Sequence, residues 1–139
     1  MENIHIEATK RTPYINFEYD RHLLEFGGES YPEDVNAFYG EIIESLEEYF
    51  DKVKNESITV NFELVYFNSS SAKAMIRIFD MFDAAAEENE VVVNWIHEAD
   101  DDNIAELGEE FGEDLEIAEF RLIAKETESS DGDDDGNDI

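Results

Sequence analysis

The sequence predicts a two-layer α/β domain, with helices packed on one face of a mixed sheet. Three observations lead there. After an opening hairpin, apolar residues recur alternately at strand and at helix spacing. The strand segments carry Asn, Glu or Arg at alternate positions, which a sheet covered on both faces would not tolerate. The 139 residues are 42% hydrophobic and 12% aromatic despite a formal charge of −29, so they hold material for one core.

Each element follows from its spacing. Tyr14 to Tyr19 alternates, with Ile15, Phe17 and Tyr19 on one face and Asn16 and Glu18 on the other. His22 to Phe26 is a second apolar run, and only Asp20 and Arg21 intervene, so the two read as a hairpin. Gly27-Gly28 is expected to end the second strand. Glu29 to Asp34 then forms a loop and helix start, with Pro32 in or just before the first turn. Val35, Phe38, Ile42, Leu46, Tyr49 and Val53 make the apolar stripe of a first helix. Ile58, Val60, Phe62, Leu64 and Tyr66 alternate with Thr59, Asn61 and Glu63 in a long strand. A second helix begins near Ser70 and runs to Asn89, burying Ala72, Met75, Ile76, Phe79, Phe82 and Ala86. Val91 to Ile96 is a strand. Asp100 to Asp102 start a third helix carrying Ile104, Leu107 and Phe111, with Gly112 as its stop. Glu116 to Ala124 is the last strand, with Ala118, Phe120, Leu122 and Ala124 on one face. Strand–helix–strand links require parallel neighbours and right-handed crossovers.

Composition excludes several functions. With 38 acids against 9 bases, the surface repels phosphate backbones and anionic lipid headgroups, so neither nucleic acid nor a membrane is an expected partner. No apolar run approaches the roughly 20 residues that cross a bilayer. Met1 to Lys10 has neither the basic start nor the apolar core of a signal peptide, and the expected location is cytoplasmic. The absence of cysteine removes disulfides, thiolate catalysis and cysteine-based metal sites. His5, His22 and His97 lie on separate segments without the i, i+4 spacing of a zinc motif. Gly27-Gly28 lacks the following Lys-Ser/Thr of a phosphate loop, and no Gly-x-Ser-x-Gly elbow exists. Carboxylates are too numerous for a catalytic pair to stand out. No catalytic residue, metal or cofactor is therefore assigned.

The chain divides into a body, residues 1–126, and an acidic tail, residues 127–139, which is expected to be disordered. The tail holds six acids and no base, which leaves the body with 32 acids, nine bases and a charge of −23. Its Asp-rich run lacks the closing Glu and flanking helices of a calcium loop.

One segment stands apart. Leu64 to Phe67 ends a strand, Asn68-Ser69-Ser70-Ser71 follows, and an amphipathic helix starts at once. The carboxyl end of a parallel strand is where sites gather in open α/β sheets. The plain reading is a helix cap plus a small-residue turn, with one Ser as the cap. Capping explains one hydroxyl, not three. The functional reading is a phosphoacceptor serine, whose phosphate would sit at the positive end of the helix with Lys73 one turn in.

Tyr66-Phe67-Asn68-Ser69-Ser70-Ser71, with Ala74-Met75 and Ile78-Phe79-Asp80 after it, resembles the SiaC family of bacterial regulatory phosphoproteins. So do Gly28-Glu29-Ser30-Tyr31-Pro32-Glu33, Ala105-Glu106-Leu107 with Glu109-Glu110-Phe111, and the start from Ile4-His5-Ile6 to Thr12-Pro13. The likeness spans about residues 3 to 124. It implies a STAS-like (anti-sigma-factor-antagonist-like) fold and a partner-switching role. A serine/threonine kinase phosphorylates the hydroxyl residue directly after the Asn, here Ser69. A PP2C-type phosphatase removes the phosphate. The unphosphorylated form binds and activates a diguanylate cyclase, raising cyclic di-GMP and promoting biofilm. Asn68, Ser70 and Ser71 complete the switch loop, and Tyr31, Pro32 and Lys73 are expected at the partner surface. The family's best-known member carries Thr where this chain has Ser69, which keeps the hydroxyl.

Two other readings make different demands. A small acidic enzyme using carboxylates needs a cleft with converging polar groups. An acidic scaffold would hold a basic partner through its tail.

Deleting residues 127–139 is expected to leave the melting temperature nearly unchanged, because the tail offers little apolar surface to offset its ordering entropy. A large drop in melting temperature would mean that the tail packs on the body.

Overall fold

Among the described residues, alternating apolar residues build six strands, and stripes of them build three helices. The computed structural model describes residues 1–126, so the expected tail lies outside the described residues. In chain order the elements are β1 (Ile4–Ile6), β2 (Tyr14–Glu18), a 3-10 turn (Tyr19–Arg21), β3 (Leu23–Ser30), α1 (Val35–Lys52), β4 (Ser57–Phe67), α2 (Ser69–Ala85), β5 (Glu90–Glu98), α3 (Asp102–Glu113) and β6 (Glu119–Lys125).

The strands lie in sequence order, β1-β2-β3-β4-β5-β6, in one sheet. β1–β2 and β2–β3 are antiparallel, and β3–β4, β4–β5 and β5–β6 are parallel. Three crossovers therefore step in the same direction. Right-handed connection places each crossover helix on the same side of the sheet, which is the one-sided cover that the strand alternation predicts.

The covered face is aromatic. Phe26 stacks on Phe62 at 4.4 Å between ring centres, and Phe62 stacks on Trp95 at 5.7 Å. Phe79, Phe82 and Phe111 pack against these rings, and Phe79 is 1% exposed. The Trp95 indole N–H donates to the Ile104 carbonyl at 3.0 Å, so its one polar group is satisfied inside the core. On the other face a single register row runs Asn16, Glu25, Asn61, Asn94, Arg121. Asn16 and Asn61 donate their amides to the two oxygens of Glu25 at 3.1 and 3.0 Å, and Asn94 donates to Asn61 at 2.9 Å. Four residues of this row, Asn16, Glu25, Asn61 and Asn94, thus form a hydrogen-bonded ladder from β2 to β5, and Arg121 on β6 bonds Glu119 instead.

Several boundaries differ from the sequence expectation, each for a local reason. β3 does not stop at Gly27-Gly28 but continues to Ser30, because β4 is long enough to pair with it to the end. Gly27 is required there by the Tyr14 ring, which would lie 2.3 Å from an added Cβ. The β3–β4 register jumps from Gly28↔Leu64 to Glu29↔Tyr66, leaving Val65 as an extra residue. This bulge inverts the alternation, so Phe67 enters the core while Val65 and Tyr66 are 49% and 50% exposed. In α1, Val35 and Phe38 are only half-buried, and Tyr39 and Ile43 take the inward positions. In α2, Ile78 is buried and Ile76 is 43% exposed, one position off the stripe of Met75, Phe79 and Phe82. α2 ends at Ala85 rather than Asn89, whose side chain instead donates to the Ala85 carbonyl at 3.0 Å. Gly112 does not stop α3. It sits inside the helix because the Phe120 ring would lie 2.5 Å from its Cβ. Leu107 remains exposed, and so do Leu122 and Ala124 on the outermost strand.

The last strand begins at Glu119, not Glu116, and Asp83 is the reason. One carboxylate oxygen of Asp83, in the last turn of α2, accepts the backbone N–H groups of Glu116, Ile117 and Ala118 at 3.0, 2.8 and 2.9 Å. Burial acts to raise the pKa of this carboxyl, but the three N–H bonds outweigh it and hold it below its ordinary value. A depressed folded pKa gives stability that is present above the unfolded value of about 3.9 and is lost as pH falls through the folded value. Asp83→Ala is therefore expected to cost about 1–2 kcal/mol near pH 7. The gap to wild type should narrow below about pH 4, read by denaturant titration at both pH values. A cost independent of pH would contradict the charged acceptor role.

Candidate functional site

The serine turn is fixed from below by one junction residue. β4 ends at Phe67 and α2 starts at Ser69, leaving only Asn68 between them. Asn68 is bound through backbone and side chain. Its N–H donates to the Ser30 carbonyl at 3.1 Å, and its carbonyl accepts from the Ala72 N–H at 2.9 Å. Its side-chain oxygen accepts from the Ser71 N–H at 2.9 Å, so Asn68, not a serine, caps the helix. The cap expected of one Ser is corrected by the preceding Asn, whose longer side chain reaches the N–H of N3.

The three serines then separate by position. Ser71 is fully buried, and its hydroxyl accepts from the Ser30 hydroxyl at 2.9 Å. The Ser30 hydroxyl in turn lies 2.6 Å from the Tyr39 hydroxyl of α1. Burial pushes the Tyr39 phenol above its ordinary value, against the opposing pull of the Ser30 and Ser71 hydroxyls, so it stays neutral at physiological pH. Ser69 and Ser70 are exposed. At the first turn of a helix their backbone N–H groups have no helical partner and point toward solvent.

Around this turn the fold gathers part of the expected surface. Tyr31 directly follows Ser30, which the Asn68 N–H ties to the turn, and its ring meets Tyr66 edge-on at 5.7 Å. Pro32 is half-buried in the link to α1. Lys73 is exposed in a groove of about 440 Å³ between α1 and α2 that Ser70 and Arg77 also line. Sequence reasoning missed Ser30, Val65 and Leu107. Val65, Tyr66 and Leu107 line a second groove of about 510 Å³ between the end of β4 and α3. The run Leu64-Val65-Tyr66-Phe67, four apolar residues in a row where strict alternation would place a polar residue after each, is the signal that marks the bulge. Nothing in the sequence marks Ser30 as a buried partner of Ser71.

A separate polar cluster lies between the β2–β3 link and α1. The His22 ring nitrogen Nδ1 lies 2.5 Å from the Tyr49 hydroxyl, and Nε2 lies 3.6 Å from Glu56. Burial first, then the charge of Glu56, pushes the Tyr49 phenol up to about 12, so it stays neutral at physiological pH. No group of three or more His, Asp or Glu among the described residues is placed to hold a metal ion.

The fold and the capped serine turn define a small α/β domain built to present hydroxyls at a helix start. The family model for "SiaC family regulatory phosphoprotein" matches residues 6–125. An uncharacterized protein of Pseudomonas aeruginosa (strain UCBPP-PA14) is 32% identical over 115 residues, covering 82% of this chain and 90% of that protein. The crystal structure of apo-SiaC from Pseudomonas aeruginosa superposes with a TM-score of 0.80 at 32% identity, over 89% of this chain and 100% of that one. SiaC in its complex with the diguanylate cyclase SiaD, whose activator it is, superposes with a TM-score of 0.82 at 31% identity, over 88% of this chain and 99% of that one. The chain belongs to the SiaC family of regulatory phosphoproteins. It is a regulator, and the reading as a small carboxylate enzyme gives way.

Ser71→Ala is expected to destabilise the fold by about 1–3 kcal/mol, because it leaves the buried Ser30 hydroxyl without its acceptor. Ser69→Ala and Ser70→Ala should stay within about 0.5 kcal/mol of wild type. Thermal or denaturant unfolding of the three variants checks this, and equal effects at all three positions would contradict the division.

Proposed function

We propose that this chain is a phosphorylation-controlled binding module of a partner-switching pathway. A serine/threonine kinase phosphorylates Ser69, and a PP2C-type phosphatase removes the phosphate. The unphosphorylated form binds and activates a diguanylate cyclase in the cytoplasm. The observation that carries this reading is the placement of Ser69: exposed, at the first position of α2, directly after a cap that leaves its hydroxyl free. The relatives support the output partner, since SiaC of Pseudomonas aeruginosa is the activator of SiaD. No helix among the described residues is long and apolar enough to cross a membrane.

The physical consequences differ for fold and surface. Phosphorylation adds about −1.5 to −2 charges and three strong acceptor oxygens. The open N–H groups of the first turn and the helix dipole accommodate that charge, so the fold survives. A partner packed against Tyr31, Tyr66 and the hydroxyl of Ser69 meets instead a hydrated dianion, which it must desolvate or avoid.

Kinase labelling of wild type, Ser69→Ala and Ser70→Ala separates the candidates. Ser69→Ala is expected to lose labelling and keep cyclase activation, and Ser70→Ala to keep both. Full labelling of Ser69→Ala with loss in Ser70→Ala would move the acceptor by one residue. Labelling unchanged in both variants would leave the turn as a helix start only.

A further inference from the structure

The outer edge of β6 carries features that the serine turn does not use. β6 is the last strand of the sheet, and Leu122 and Ile123 are 37% and 38% exposed on it. The Lys125 carbonyl accepts from the Ala99 N–H at 2.9 Å, on the β5 side. By strand alternation the peptide groups of Glu119, Arg121, Ile123 and Lys125 face β5. Those of Phe120, Leu122 and Ala124 then face outward as donors and acceptors without a partner among the described residues. An exposed edge of this kind is a template for another strand. Its charge also differs from that of the rest of the chain. Glu119–Lys125 holds one acid and two bases, within a chain of 38 acids and nine bases.

We propose that β6 pairs antiparallel with β6 of a second copy, joining two sheets about a two-fold axis at Leu122. Full overlap of the seven-residue strand with itself sets that register. Leu122 then faces Leu122 of the second copy, and Phe120 faces Ala124, a large residue against a small one. Glu119 faces Lys125, so opposite charges meet at both ends. The neighbouring symmetric registers fail on charge. An axis at Arg121 opposes two arginines, and an axis at Ile123 opposes Arg121 to Lys125, and like charges directly opposite are destabilising. The outward peptide groups supply about six inter-strand hydrogen bonds in the Leu122-centred register.

The interface is small and works against the repulsion of two chains of −29 each. Many like charges at long range outweigh two short opposite pairs, so salt should favour the dimer. Sedimentation equilibrium on the full chain tests this at about 0.1 M and about 1 M NaCl, where the screening length falls from about 10 to about 3 Å. The dimer is expected to be at least about tenfold tighter at the higher salt. Leu122→Pro removes an outward N–H without touching the bonds to β5, and should weaken the dimer at least about tenfold. Glu119→Lys makes each chain less negative, so a general charge effect would strengthen the dimer. The register instead predicts weakening, because lysines then face each other. Circular dichroism establishes that each variant is folded, and should Leu122→Pro fail that check, Glu119→Lys decides. A chain that is monomeric at both salt concentrations up to about 100 µM would overturn the proposal. So would a dimer that Glu119→Lys strengthens or leaves unchanged.

Discussion

The buried hydroxyl chain from Tyr39 through Ser30 to Ser71 is the contact on which the geometry of the candidate site depends. It joins α1, the end of β3 and the first turn of α2 at one point. The Asn68 N–H bond to the Ser30 carbonyl lies beside it. Two side-chain bonds and one backbone bond thus fix where α2 begins, and so which serine faces water. A buried hydroxyl left without a partner costs more than its hydrogen bond contributes, and the arrangement resists sliding by one residue for that reason. With α2 shifted so that Ala72 took the place of Ser71, the buried Ser30 hydroxyl would lose its acceptor.

The sheet order explains why this point lies at a surface. Three crossovers advance in one direction, so all three helices share a face, and the ends of β3 and β4 open beside the start of α2. The Val65 bulge then turns Tyr66 outward toward Tyr31. Fold and surface are coupled at this bulge: the slip that admits Phe67 to the core is the same slip that exposes two apolar residues next to the serines. Asp83 ties the far end of the same helix to the approach of β6, which holds α2 at both ends.

Much of this was legible in the residues. The alternation Asn61, Glu63, Asn94, Arg121 announced an uncovered sheet face, where Asn61 and Asn94 join the hydrogen-bonded ladder while Glu63 pairs with Lys125 and Arg121 with Glu119. The start of α2 was placed within a residue or two, because hydroxyl-rich turns before amphipathic stripes rarely mean anything else. What escaped were effects of tertiary contact. Gly112 looked like a helix stop, but it is a gap for the Phe120 ring. Ile76 and Ile78 are equivalent in composition and differ only in which side of the stripe meets β5. Tyr66 was assigned to the core by period two, which a bulge breaks without any local signature other than one surplus apolar residue. The identity of the cap was missed because Asn and Ser are both good caps, and only the geometry decides between neighbours.

The charge of the body bears on how such a switch can operate. At −23 without its tail, a further two negative charges change the overall field little. Control by phosphate must therefore be local, acting on the contact made by the turn rather than on long-range attraction. The direct test is to measure the affinity of a diguanylate cyclase partner for the unmodified protein and for protein phosphorylated stoichiometrically at Ser69, with thermal unfolding of both forms in parallel. A local switch predicts at least about a tenfold loss of affinity, the equivalent of about 1.4 kcal/mol, at nearly unchanged melting temperature. Equal affinity of the two forms, or a loss that tracks unfolding of the phosphorylated protein, would contradict it.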